Sequence, residues 1–152
     1  MTNPNEIKEL AYERLDEASI LYQNNKFDGA FYLAGYSAEL MLKAKICERL
    51  GIPNLFNEAD RGLIGIPGIG DIRKALKTHN LFVLLIFSGL KEKFDEEKSR
   101  NKSFFRVSSL LFGNWDENSR YKPCGSMQGS DVNDLILSLK DSNGLLPWIE
   151  KN

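Results

Sequence analysis

The sequence predicts an all-α protein, an up-and-down bundle of about five helices, and three observations predict it. Apolar residues recur at helical spacing through most of the chain, and no alternating strand pattern of useful length interrupts them. One segment, Phe27 to Leu50, is apolar around nearly its whole circumference. Without membrane signals, such a segment is buried by several neighbours and belongs at the centre of a bundle.

The first helix is read from Asn5 to Gln23, where Ile7, Leu10, Ala11, Leu15, Ala18, Leu21 and Tyr22 form an apolar face between Lys8, Glu9, Glu13 and Asp16. The polar step Asn24-Asn25-Lys26 separates it from the central helix, which Gly51 is suited to stop. Ile52 to Gly70 carries Pro53, Pro67 and four glycines, so a loop or a set of short turns is expected there. Helical patterning resumes at Leu81 and fades into the charged stretch Lys91 to Lys102, predicting a third long helix with a solvated end. Phe104 to Phe112 predicts a shorter apolar helix bounded by Gly113 and Asn114. Asp131 to Trp148 predicts a last helix interrupted near Gly144 and Pro147.

A chain of 152 residues with 42% hydrophobic content can build one continuous core, so a single domain over 1–152 is the expectation. Twenty basic residues against 21 acidic ones leave a net charge of -1, which gives no global attraction to nucleic acid or membrane. A nucleic-acid partner must therefore use a local patch. Met1 to Glu9 lacks the pattern of a signal peptide and no apolar run is long enough to span a bilayer, so a cytoplasmic protein is expected. Cys47 and Cys124 form no CxxC pair and have no clustered histidines, so neither a zinc site nor another cofactor is expected. There is no Walker-type phosphate loop and no G-x-S-x-G, which removes support for NTP hydrolysis and acyl transfer.

Gly35-Tyr36-Ser37-Ala38-Glu39-Leu40-Met41-Leu42-Lys43-Ala44 resembles the second-helix signature of the HEPN (higher eukaryotes and prokaryotes nucleotide-binding) family. Thr78-His79-Asn80-Leu81, Trp115 followed by Arg120-Tyr121-Lys122-Pro123, and Trp148 resemble further family segments, in the expected order. The resemblance implies a HEPN-like helical domain that dimerises and binds a nucleotide or RNA, beside a nucleotidyltransferase-like partner. On the residues alone, Gly35 and Ser37 remove bulk so that another helix can approach, and Tyr36 has a hydroxyl that needs a partner. Glu39 and Lys43 stand four apart, either as an exposed pair worth about 0.2–0.5 kcal/mol or as a semi-buried structural one. Arg120 is read first as a buried clamp on a carboxylate or on helix-end carbonyls, with a nucleotide contact shared with Tyr121 as the other reading.

Many HEPN domains resemble metal-independent ribonucleases that carry an Arg and, a few residues later, a His, and Arg73 and His79 stand in those places. His79 is the only histidine in the chain. Such cleavage needs a group to move the 2'-hydroxyl proton and a cation for the developing phosphate charge, roles that His79 and Arg73 fit. On one continuous helix, residues six apart point about 120° away from each other, so the pair converges only if the helix breaks. Thr78 as an N-cap would supply that break, with His79 in the first turn of the next helix. Lys74 occupies the place where the family pattern often has Asn. A first-turn histidine also has a structural reading, as a cap or packing group. Lys74 and Lys77 add positive charge for a nucleotide or RNA.

Two other segments compete. Leu63 to Gly70 resembles the hairpin of helix-hairpin-helix motifs, which would make the chain a DNA-contacting accessory protein, or else it is an apolar loop sealing the bundle. Lys98, Arg100, Lys102 and Arg106 enclose Phe104 and Phe105, a basic and aromatic composition suited to single strands. The preceding acids Glu92, Asp95, Glu96 and Glu97 favour charge compensation instead, with the phenylalanines in the core.

Overall fold

Asn3 starts the first helix: its side chain accepts the Glu6 N–H at 3.1 Å, and Pro4 stands where no backbone donor is needed. In the computed structural model, which describes residues 3–152, this helix α1 runs Pro4–Gln23 and buries Ile7, Ala11, Leu15 and Ala18 as one stripe. The turn at Asn24 and Asn25 returns the chain as α2, Phe27–Leu50, packed along α1. Gly51 closes α2 in the left-handed conformation (φ 66°), which its missing Cβ permits. Phe31, Leu40, Met41, Leu42, Ile46 and Cys47, at positions all around α2, are buried. The helix is central, touching α1 and elements from the rest of the chain.

Beyond α2 the chain is built from shorter helices than the pattern of five predicts. The loop expected over 52–70 contains α3, Arg61–Ile64, and the start of α4, Ile69–Leu76. The third long helix is divided into α5, Leu81–Phe87, and α6, Lys91–Arg100, because Gly89 turns the chain at φ 74°. Asn101 accepts from the Ser103 and Phe104 N–H groups and begins α7, Lys102–Val107, two residues before the expected start. A π-helical turn, Ser108–Phe112, and a 3-10 turn, Glu117–Tyr121, follow. The last helix is likewise two, α8, Gly129–Lys140, and α9, Leu145–Lys151. The break falls at Gly144; Pro147 lies in the first turn of α9, where its missing donor costs nothing.

The fold is all-α, with no strand among the described residues. The buried cluster links α1 and α2 to Leu84 and Leu85 of α5, Val132, Leu135 and Leu139 of α8, and Leu146 and Ile149 of α9. Phe94, Phe104 and Trp148 meet edge-on or tilted at centroid distances of 5.3–6.1 Å, which places the closing aromatic against α6 and α7. No described helix is long and apolar enough to cross a membrane. Cys47 is buried and Cys124 exposed, neither in a disulfide.

Candidate functional site

Tyr32, Tyr36, Glu39 and Lys43 recur at helical spacing and lie along one side of α2. In its middle is a buried carboxylate. Glu39 is 1% exposed, a position that costs several kcal/mol for an ion unless its oxygens are engaged. They are engaged by two nitrogens: Lys43 Nζ donates to Oε1 at 2.7 Å, and His79 Nδ1 stands 3.0 Å from both oxygens. The Glu39–Lys43 pair is thus the buried form of the two readings, and its second partner comes from forty residues along the chain.

This arrangement engages one edge of His79: Nδ1 faces the carboxylate, where an ionised carboxylate can only accept, and Nε2 lies outside the contact. The imidazole is half exposed, its side chain at 48% accessibility over a partner at 1%. A ring held at one nitrogen by a buried carboxylate and open at its edge can accept or give a proton, or hydrogen-bond to a phosphate oxygen.

The helix does break between Arg73 and His79, although not through the expected cap. Helix α4 ends at Leu76, and Asn80 is the N-cap of α5, its side chain accepting the Val83 N–H at 3.1 Å. Thr78 instead accepts the Asn80 N–H at 3.1 Å, and His79 lies just before the cap rather than in the first turn. Arg73 is turned away to other work. Its Nε donates to Leu55 O and its terminal nitrogen to Asn57 O, both at 2.9 Å, so it clamps the loop on either side of Phe56. That loop returns to the buried pair, since Lys43 Nζ lies 5.6 Å from the Phe56 ring centroid. Arg73, Lys74 and Lys77 line a surface groove with Glu58, whereas Thr78 and Asn80 line a separate cleft. Lys77 is paired with Glu58 and holds that carboxyl below its usual range. Lys74 is exposed and has no ion-pair partner among the described residues.

At the other end of the stripe, Trp115 stacks on Tyr32 at 6.1 Å and donates its indole N–H to Tyr32 O at 3.0 Å. What Gly35 admits is therefore this indole, which lies where a Cβ would stand, and not another helix. Burial first, then the charge of Glu39 and the neighbouring Tyr32, raise the Tyr36 phenol above its ordinary value, with Arg14 opposing. The expected clamp role of Arg120 is not what the structure has. Arg120 is exposed, its guanidinium 4.9 Å from the ring centroid of Tyr121, which is itself largely exposed. A stacked, solvated arginine leaves its donors available to an anion.

The competing segments resolve differently. Ile64 and Ile66 at the turn of the glycine-rich hairpin are exposed, while Leu63 and Ile69 on either side of it pack against the core. In the basic segment Arg100 pairs with Glu97 and Arg106 with Asp131 and Asp134, so charge compensation accounts for much of it. Phe104 is core, but Phe105 is exposed. Among the described residues no group of His, Cys, Asp and Glu is placed to hold a metal ion. Sequence reasoning had no signal for the contact between Glu39 and His79, which depends on tertiary placement. No family model, curated protein or solved structure matches this chain.

Proposed function

We propose that the chain is a HEPN-type module that binds a nucleotide or single-stranded RNA, with His79 and the neighbouring Lys74 on the phosphate. The observation that carries this reading is the half-exposed His79, held at Nδ1 by the buried Glu39 and free at Nε2. Lys74 adds local positive charge in a chain whose net charge supplies none, and Lys77 lies in the same groove, paired with Glu58. Arg120 over Tyr121 offers a second, stacking contact farther along the same side of α2. The reading includes a homodimer, for which the half-exposed Ile86 and Phe87 of α5 supply apolar surface, and a nucleotidyltransferase-like protein as partner.

A second reading, metal-independent RNA cleavage, is favoured by the same His79 geometry. It lacks the arginine of the expected pair, because Arg73 is occupied with the Leu55 and Asn57 carbonyls. A single experiment separates the two. Binding of a fluorescent single-stranded RNA is expected to weaken with salt, and Lys74→Ala is expected to reduce the slope of log affinity against log salt by about 0.7, one phosphate contact. His79→Ala is expected to weaken binding without cleavage being seen in the wild type. Metal-independent cleavage abolished by His79→Ala, with the melting temperature unchanged, would establish the enzyme instead. Absence of any RNA or nucleotide binding would overturn both.

A further inference from the structure

Two surface depressions of opposite character are lined by the chain leading up to His79 and by the residues directly flanking it. Arg73, Lys74 and Lys77 form the cationic groove, while Thr78 and Asn80 line a cleft of about 530 Å³, within the span of about 300–1,000 Å³ typical of small-molecule sites. Phe82, Phe112, Asn114 and Glu117 line the same cleft. Its charge disfavours phosphate: Asp116 and Glu117 share the lining with a single lysine, Lys122, whose Nζ is committed to Asn114 O at 3.1 Å. The uncharged part of a nucleotide is what such a surface admits.

The two carboxylates are not equivalent. Asp116 caps the 3-10 turn, accepting the Asn118 N–H at 2.8 Å, while Ser119 Oγ accepts the Asp116 N–H at 3.2 Å. Glu117 rides on this pinned turn, half-buried, and has no hydrogen-bond or ion-pair partner among the described residues. A free carboxylate on a fixed mount is a double acceptor. Among the bases only guanine presents two adjacent donors, its N1–H and N2–H, to match it. Adenine and cytosine place an acceptor nitrogen beside their amino group, and uracil flanks its single N–H with two carbonyls, so each sets lone pairs against the carboxylate. Phe82, half-exposed at the cleft wall, has Lys91 Nζ 5.5 Å from its ring centroid; Lys91 does not line this cleft, so the ring face toward the cleft is the one on which a base can stack.

We propose that this cleft is a guanine subsite, in which Glu117 reads the Watson–Crick edge and Phe82 supports the ring, while the adjoining phosphate lies toward His79 and Lys74. The proposal rests on the RNA-binding reading above and adds its specificity. The test uses uridine decamers with one central guanosine, adenosine or cytidine, and the all-uridine decamer, titrated by fluorescence anisotropy. The guanosine RNA is expected to bind about tenfold more tightly than the others, the usual size of one bidentate base contact. Glu117→Gln is expected to reduce that preference to within about twofold, read as the ratio of guanosine-RNA to all-uridine affinity in the same variant. Equal binding of all four RNAs, or a guanosine preference that survives Glu117→Gln, overturns the subsite. If the four bind equally and Lys74→Ala weakens each alike, only the subsite falls. If none binds, the RNA-binding reading falls with it.

Discussion

At Gly35 one hydrogen in place of a methyl group decides whether the Trp115 indole can lie against α2. The ring stacks on Tyr32, bonds its carbonyl and occupies the space a Cβ would need, so any side chain at this position displaces it. Gly35→Ala is expected to cost about 1–3 kcal/mol by overpacking, despite alanine's better helix propensity, because the obstacle is a nearly buried aromatic ring and not a flexible tip. Hydrogen exchange provides the specific check: the Trp115 indole N–H is expected to lose protection in the variant. A stable variant with that proton still protected would show that the indole moves without cost. The same residue scale explains what could be read of the site. Glu39 and Lys43 are four apart on a helix, so their pairing was legible, but a 152-residue pattern contains nothing that assigns the second carboxylate contact to His79. Arg73 was legible as a cation near the loop, yet the carbonyls of Leu55 and Asn57 that consume its donors carry no sequence signature.

At the scale of elements, α5 is bounded by two devices of different visibility. Its start was marked by Thr78-His79-Asn80, three consecutive residues that suit a cap or the step before one, and the neighbouring Asn80 takes the role expected of Thr78. Its end at Gly89 was hidden, because Leu81, Leu84, Leu85 and Ser88 keep helical spacing up to the turn, all four buried, and a single glycine after such a pattern does not by itself mark a stop. Gly89 lies at φ 74°, and a Cβ there would approach no heavy atom closer than 3.9 Å. Space is available, so strain is the whole cost. Gly89→Ala is expected to destabilise by about 1–2 kcal/mol, the penalty of a non-glycine residue in the left-handed region. Denaturant unfolding is expected to show a lower midpoint with an unchanged slope, since the fold itself is retained. No change in midpoint would mean that the corner relaxes to negative φ.

At the scale of the whole molecule, the C-terminal helix is tied to the first two through polar contacts around the core. Tyr12 donates to Glu150 Oε2 at 2.8 Å, Lys45 to Glu150 O at 3.1 Å, and Arg49 to Asn152 O at 2.8 Å. Burial, and then the Glu150 contact, push the Tyr12 phenol up to about 12 from its ordinary 10.0, and burial pushes the Cys47 thiol up to about 11 from 9.0. Both groups are neutral when protonated and hold their protons more tightly in the folded chain than in the unfolded one. Their contribution is therefore fully present below the unfolded values and is lost as pH rises through the folded ones. Stability is expected to decline from about pH 9 to 11 through Cys47 and from about pH 10 to 12 through Tyr12. Melting temperatures measured at intervals from neutral pH upward test this directly. Cys47→Ala is expected to start less stable, since it removes a buried sulfur, but to decline less steeply in the lower window. Tyr12→Phe loses the Glu150 contact at neutral pH and is expected to decline less steeply in the upper window, where phenolate formation weakens the wild type. Curves for both variants that run parallel to the wild type across the whole range would show that neither proton is linked to folding, and that alkaline loss of stability comes from elsewhere.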